Sequence, residues 1–203
     1  MSQALGHGEN GGLPLKTNDD VLIALGSNLT SSAGSPADTL NMALIALKEK
    51  GAVIRCRSPI YRTPAFPAGA GPDFANAAAR LALPGPPEEV LAVLHGIEAD
   101  LGRVRRARWG ERMIDLDLIA IGDLLLPDLH THARWRQLEL SQQMAEAPEE
   151  LVLPHPRLQD RAFVLVPLAD VAPDWRHPAL NRTVTEMLEA LPQADRDSVV
   201  VMQ

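Results

Sequence analysis

Cysteine is almost absent from this chain. Cys56 is the only one among 203 residues, so no disulfide can form within the chain. A chain of this length buries a substantial core without such crosslinks. The scarcity of cysteine fits a reducing compartment. We therefore predict a cytoplasmic protein in which Cys56 is a small core residue.

Long apolar runs are also missing. No stretch approaches the roughly 20 consecutive apolar residues of a membrane-spanning helix, and residues 1–19 lack the apolar segment of a signal peptide. We therefore expect no membrane partner. Gly, Asn and Asp are frequent near the N-terminus, which predicts a disordered extension over 1–19 and a single domain over 20–203.

Aromatic residues and net positive charge are scarce. The chain has three Phe, three Trp and one Tyr, and its formal net charge is −7. An acidic protein repels the phosphate backbone of nucleic acids and anionic membrane surfaces. The charge therefore argues against a general nucleic-acid-binding protein. A basic cluster inside such a chain points instead to a small anionic ligand.

No predicted strand is followed by either of two common nucleotide-binding motifs. The segment "ALGSN" (24–28) follows an apolar run but does not match GxxxxGK[ST], and GxGxxG does not follow any predicted strand. If the chain binds ATP, it must therefore use metal ions and arginines.

Apolar periodicity predicts alternating strands and helices. We predict strands over 21–28, 52–58, 74–83 and 113–122, and a short strand that begins the segment 151–173. Helices are predicted over 35–51 with Ser35 as N-cap, over 86–102, from about 160 to 170, and over 183–191. We interpret the Pro- and Gly-rich segment 61–72 as a loop, and the polar segment 127–150 as an insertion with a possible short helix. The order β-α-β-β-α-β predicts a compact α+β sandwich with helices packed on an antiparallel sheet.

Two aspartates stand one residue apart in "RWGERMIDLDL" (108–118). On a strand, such residues share a face and lie roughly 6.5–7 Å apart, whereas on a helix they diverge by about 200°. We expect Asp115 and Asp117 side by side, with Leu116 and its apolar neighbours in the core. Two carboxylates repel unless a cation lies between them, and one or two Mg²⁺ ions suit such oxygen ligands. For the pair alone, the alternative to a metal site is that one aspartate binds an arginine and the other is solvated.

A basic segment immediately precedes the aspartates. "GRVRRARWGER" (102–112) holds five arginines, and Gly102 and Gly110 favour a loop. Arginine binds phosphate oxygens through two hydrogen bonds and stays charged, and Trp109 could pack on a base or on an arginine. The segment therefore predicts a site for a nucleotide polyphosphate. The alternative is a solvated basic face beside a half-buried tryptophan.

Four segments together resemble the 6-hydroxymethyl-7,8-dihydropterin pyrophosphokinases in order and spacing. They are "ALGSN", "YRTPAF…GPDFANAAARL", "IEADLGRVRRARWGERMIDLDL" and "LPHPRLQDRAFVLVPLADVAP", and the resemblance covers roughly Val21 to Pro173. It implies a ferredoxin-like α+β fold and an enzyme of folate biosynthesis. That enzyme would transfer pyrophosphate from ATP to the hydroxymethyl group of the pterin and release AMP. The resemblance also implies Mg²⁺, two ions with ATP, and a monomer without a nucleic-acid partner.

The resemblance implies roles for residues that match the family's motifs. Asp115 and Asp117 would bind magnesium, and with Arg105 and Arg112 they would be catalytic. Contacts with ATP are implied for Glu98, Arg103, Arg105, Arg108, Trp109, Arg112, Leu118, His155 and Arg161, of which the residues over 103–112 would form a loop that closes over ATP. Contacts with the pterin are implied for Thr63, Pro64, Phe66, Phe74, Asn76 and Phe163, the two phenylalanines at 74 and 163 enclosing the ring. No general base is identified, because a metal-bound Asp117 is a poor base.

Some of these residues have structural explanations too. His155 could shape a turn, Phe163 could belong to the core, and Asn76 could satisfy a strand edge. We expect no metal site at the His130-x-His132 pair, which has no cysteine or carboxylate cluster nearby.

The chain also departs from the family in a few places. Glu111 stands where the family usually has proline, Phe74 replaces the tyrosine of some members, and the segment 127–150 is longer than usual. Three other functions remain as alternatives: a single-strand nucleic-acid-binding module, a metal-dependent phosphohydrolase that uses the two aspartates, and an inactive regulatory homologue.

Overall fold

The computed structural model of the chain describes residues 17–31, 34–65, 71–102, 113–139, 142 and 146–202. The strands are β1 Thr17–Ser27, β2 Val53–Arg57, β3 Tyr61–Thr63, β4 Phe74–Pro84, β5 Asp115–Ile121 and β6 Val200–Val201. The α-helices are α1 Pro36–Glu49, α2 Pro87–Asp100, α3 Leu129–Gln137, α4 Ala162–Val171, α5 Val184–Glu189 and α6 Gln193–Asp197, and a 3₁₀ turn spans Leu158–Asp160.

The described strands form one antiparallel sheet in the order β5-β1-β4-β3-β6, with β2 also paired to β4. β2 and β3 lie along different parts of β4. Counted together as one interrupted strand, they give the βαββαβ order of a ferredoxin-like sheet. The predicted α+β class, with helices packed on an antiparallel sheet, is confirmed.

Helices α1 and α2 cover one face of the sheet. Ser35 and Asp38 form a capping box that begins α1, in which the Ser35 N–H donates to the Asp38 carboxylate over 2.9 Å. The predicted N-cap is therefore confirmed. The core on this face is almost entirely aliphatic and includes Val21, Ile23 and Leu25 of β1, Leu40 and Leu47 of α1, and Leu94 and Ile97 of α2.

Helices α4 and α5 cover the opposite face. Leu22 and Ala24 of β1 pack there with Ala78 of β4, Leu165 of α4 and Val184 of α5. Because successive strand residues point to opposite faces, the run "VLIAL" is buried on both sides of the sheet. The sheet is therefore the middle of three layers, an arrangement that the sequence analysis did not specify.

Several sequence-based expectations are wrong in detail. Tyr61–Thr63 is a strand within the predicted loop, and the predicted short strand near 151 is only an isolated bridge between Leu126 and Leu153. Cys56 is exposed rather than buried, because a register shift between Ile54 and Cys56 breaks the alternation of β2. Helix α6 and strand β6 were not expected.

The two segments set apart by the sequence analysis are partly described. β1 begins at Thr17, so it includes the last three residues of the predicted extension 1–19; residues 1–16 lie outside the described part. The possible short helix of the insertion is confirmed as α3, whose N-cap Asp128 accepts hydrogen bonds from the backbone of His130 and Thr131. Among the described helices, none is both long and apolar enough to span a membrane.

Candidate functional site

Strand β5 presents both aspartates on the face that carries α4. Leu116, between them, is 2% exposed in the α1/α2 core, while Asp115 and Asp117 are partly exposed. The expectation that the two carboxylates share one face is confirmed. They are hard oxygen ligands on neighbouring positions, which suits Mg²⁺. Within the described ranges no group of three or more His, Cys, Asp or Glu side chains could hold a metal ion, so water and phosphate oxygens would have to complete an octahedron here.

Arg161 faces these carboxylates from the N-terminus of α4. Its Nη1 lies 4.0 Å from Oδ2 of Asp117, and its Cζ lies 5.7 Å from the ring centroid of Phe163. A guanidinium in this position offsets part of the repulsion between the two acids. The arrangement places a guanidinium, which can bind phosphate, beside a carboxylate, which can bind a metal ion.

His155 lies in the turn before the 3₁₀ segment, next to the aspartates. Its backbone N–H donates to the Ile119 carbonyl over 2.8 Å, and its Nδ1 accepts from the backbone N–H of Arg157 over 3.1 Å. Burial, with the Arg161 charge as the second cause, lowers the pKa of His155 to about 3, although Asp115 opposes the shift. The ring is therefore neutral at pH 7, with its proton on Nε2, and it can donate to an anion but not act as a base there.

A second polar group lies two strands away on β3 and β4. The Asn76 amide Nδ2 donates to Oγ1 of Thr63 over 2.6 Å, and both side chains are buried. Thr63 pairs in register with Phe74, which is half-buried, and Pro64 is exposed. Phe163 is 39% exposed, so it is not a core residue. An amide beside two accessible rings suits a flat heterocycle with a polar edge.

Glu98 and Leu118 have structural positions that the sequence analysis did not foresee. Glu98 is 2% exposed, and its Oε1 accepts from the backbone N–H of Leu116 over 2.7 Å, which ties α2 to β5. The Leu118 side chain is buried in the α1/α2 core. Contacts of these two residues with ATP stay predictions, and for Leu118 only the backbone is placed to make one.

Part of the predicted site lies outside the described residues. This holds for Arg103, Arg105, Arg108, Trp109 and Arg112, for Phe66, and for the divergent Glu111. Their implied roles stay predictions.

The end of β1 contributes two residues that the sequence analysis gave no role. The Ser27 hydroxyl, fully buried, donates to the Met113 carbonyl over 2.6 Å, and the Asn28 amide donates to the Pro72 carbonyl over 3.3 Å. These bonds fix the chain shortly after the segments 103–112 and 66–70. The only sequence signal is a pair of polar residues directly after a buried strand, in "ALGSN".

Comparisons with known proteins agree on one family. The model of the 7,8-dihydro-6-hydroxymethylpterin-pyrophosphokinase family matches residues 22–173. A 2-amino-4-hydroxy-6-hydroxymethyldihydropteridine pyrophosphokinase of Synechocystis sp. is 38% identical over 171 residues, which are 83% of this chain and 74% of that protein. The protein of the same name from Pseudomonas aeruginosa is 36% identical over 173 residues, 85% of this chain and 91% of that one.

A solved structure shares the fold. The crystal structure of Plasmodium falciparum HPPK-DHPS superposes with a TM-score of 0.56 at 16% identity, over 86% of this chain and 44% of that one. The chain thus spans less than half the length of that protein, and at this identity the likeness shows the fold alone.

Proposed function

This chain belongs to the 7,8-dihydro-6-hydroxymethylpterin-pyrophosphokinase family, and on that basis we propose which of its residues carry the family's reaction. It is an enzyme of folate synthesis that transfers the pyrophosphoryl group of ATP to the hydroxymethyl group of the dihydropterin. The pterin hydroxyl oxygen forms a bond to the β-phosphorus, and the bond from that phosphorus to the oxygen bridging the α-phosphorus breaks. AMP leaves with the bridging oxygen, and the hydroxyl gives up its proton to solvent water.

Asp115 and Asp117 would hold Mg²⁺, two ions when ATP is bound. The observation that supports this is their shared, partly exposed face on β5, with Leu116 between them in the core. When bound, Mg²⁺ neutralises charge on the triphosphate and lowers the pKa of the attacking hydroxyl. By holding the metal ions, the two carboxylates would orient the triphosphate relative to the sheet.

Arg161 and His155 would contact the phosphates on the same side. Arg161 supplies a permanent positive charge, and the neutral His155 supplies an N–H donor without the repulsion that a second cation would add beside the guanidinium. The arginines of 103–112 would contribute further charge.

Asn76 and Thr63 would bind the polar edge of the pterin, with Phe74 and Phe163 on its two faces. The hydrogen bond between Asn76 and Thr63 fixes the amide before the substrate binds. The Asn76 side chain therefore loses little conformational freedom when the pterin binds. This arrangement carries the proposal: an amide site for a heterocycle and a carboxylate site for a metal lie on one face of one sheet.

The described residues offer no evident general base. His155 has its Nδ1 engaged by a backbone N–H, and the carboxylates would be occupied by metal. We therefore infer that positioning and charge stabilisation supply most of the rate. A monomeric state and a cytoplasmic location also stay predictions.

The test is an assay with ATP, Mg²⁺ and 6-hydroxymethyl-7,8-dihydropterin in which the nucleotide products are separated. We expect AMP that forms only when the pterin is present. ADP would contradict pyrophosphoryl transfer, and phosphate release without pterin would favour a phosphohydrolase. No turnover would favour an inactive homologue.

A further inference from the structure

Gly26 lies between the two halves of the candidate site. In the register of the sheet it pairs with Asn76 of β4 on one side and with Asp115 of β5 on the other. The three residues form one row across three strands, and adjacent strands are separated by roughly 4.8 Å. The amide and the carboxylate are therefore about 10 Å apart along the row, with the glycine at its centre.

The backbone of Gly26 does not require a glycine. Its φ is not among the positive values found at other glycines such as Gly34 and Gly51. The constraint at Gly26 is instead the space available to a side chain. A Cβ built at Gly26 would stand 3.0 Å from Oδ1 of Asn76, closer than ordinary van der Waals contact. Apart from its chain neighbours, no other described atom lies within 4 Å of that position.

The missing side chain therefore opens a recess between Asn76 and Asp115. The next row on the same face is Ala78, Ala24 and Asp117, where the two alanines are buried under α4. Gly26 itself is half-buried. Among the described residues, the helical cover of this face thus ends at the row of Gly26, where the floor of the recess is bare backbone.

We propose that Gly26 is a positioning and specificity-determining residue, whose empty side-chain position admits the 6-substituent arm of the pterin between Asn76 and the Asp115 metal site. The inference rests on the proposed function. A ring bound at Asn76 must bring its hydroxymethyl oxygen to the β-phosphate held near Asp115, and the row runs directly from one to the other. A side chain at Gly26 would displace the Asn76 amide and hold the arm away from the phosphate.

The experiment is Gly26→Ala, compared with Gly96→Ala. Gly96 lies on α2, where an added Cβ meets nothing within 4 Å, so the control adds the same methyl group in open space. We expect Gly26→Ala to raise the KM for the pterin and to lower kcat, by roughly tenfold to a hundredfold in kcat/KM, because overpacking a fitted site has effects of this size. Binding of MgATP, measured by equilibrium titration, should stay within about twofold, since the arm and not the nucleotide crosses the recess. Gly96→Ala should match the wild type in the KM for the pterin, in kcat and in MgATP binding.

A second variant separates the two effects of the methyl group. In an Asn76→Ala background there is no amide to displace, so adding Gly26→Ala should leave pterin affinity unchanged while kcat still falls.

Thermal unfolding by circular dichroism monitors folding of every variant. Equal losses for ATP and pterin with a lowered melting temperature would show a merely structural role and overturn the inference. So would Gly26→Ala kinetics within twofold of an active wild type. A wild type that forms no pterin-dependent AMP would instead overturn the proposed function on which the inference rests.

Discussion

The two faces of the sheet differ in how completely they are covered. The α1/α2 face is sealed by aliphatic side chains from Val21 at one end of β1 to Leu25 near the other. The α4/α5 face is sealed only as far as Ala24 and Ala78, and beyond them lie Gly26, Asn76 and Asp115. Within the described part of the chain, the same strands therefore form an aliphatic core on one side and end in a polar, partly exposed row on the other.

This difference follows from the two-residue period of a strand. On β5, Leu116 and Leu118 point into the α1/α2 core, and Asp115 and Asp117 point to the other face. Burying ionised carboxylates without partners has a high free-energy cost, and that cost is avoided where the helical cover ends. We therefore expect one face mainly to determine stability and the end of the other to determine activity. Substitutions on the two faces should separate these properties.

The largest effect is expected at the aspartates. Asp115→Asn and Asp117→Asn each remove a charge from the proposed magnesium site while keeping the shape of the side chain. Because the proposed mechanism relies mainly on charge stabilisation of the triphosphate, turnover should fall by about a thousandfold or more. Circular dichroism should show an unchanged fold. Asp123→Asn is the matched control, since Asp123 is exposed just beyond the end of β5. Full turnover in either site variant would contradict the metal assignment and erase the contrast between the two faces.

A smaller effect, on stability alone, is expected on the sealed face. Leu40 of α1 is fully buried, so Leu40→Ala should lower the free energy of unfolding by about 2–5 kcal/mol through lost burial and a cavity. Urea denaturation measures this, and the KM for the pterin should not change. Ile45→Ala on the same helix is the control, because Ile45 is 48% exposed and should change stability by less than about 0.5 kcal/mol. A Leu40→Ala protein that folds but has a raised KM for the pterin would show that the two faces are coupled.

The local sequence pattern was sufficient to predict the elements that form the two faces of the sheet. The apolar run of β1, the helical spacing of α1 and α2, and the alternation of β5 are all properties of neighbouring residues, so their class was predicted correctly. The elements that failed depend on distant partners. β3 is only three residues long, and it forms because it pairs with β4. β6 pairs with β3, although the two strands are far apart in the sequence. No local periodicity records such pairing.

The candidate site divides in the same way. The aspartate pair is a local feature, since two residues at strand spacing must share a face. The approach of Arg161 to Asp117, and the bond from Ser27 to Met113 across 86 residues, arise only in the folded chain. The resemblance to a family supplied Arg161 and His155, but it supplied no role for Ser27 or Gly26. The hydrogen bond of Ser27 and the role proposed for Gly26 both depend on residues that are distant in the sequence.

The smallest effect is expected away from both faces, where α3 packs against the segment after α4. His132 and His177 are fully buried, with ring centroids 5.4 Å apart. The His177 Nδ1 accepts from the backbone N–H groups of Ala179 and Leu180, and the His132 Nε2 bonds the Pro154 carbonyl. A proton on the His177 Nδ1 would oppose two donors. Burial, followed by the neighbouring His132 and Arg136, lowers the pKa of His177 to about 4, and burial also lowers that of His132.

Stability should therefore fall as the pH is lowered from about 6.5 towards 4. In that window the unfolded chain binds protons near the ordinary histidine pKa of about 6.5, whereas the folded chain keeps His177 neutral until about pH 4. The free energy of unfolding should decrease by roughly 1–3 kcal/mol across the window and be insensitive to this histidine above pH 7. His177→Asn keeps an acceptor for the two backbone N–H groups but cannot titrate, so it should flatten the dependence measured by urea denaturation at several pH values. His130→Gln, at an exposed position on α3, should leave the slope unchanged. An equal slope in wild type and His177→Asn would mean that the acid sensitivity arises at another histidine whose pKa the fold lowers, His132 or His155.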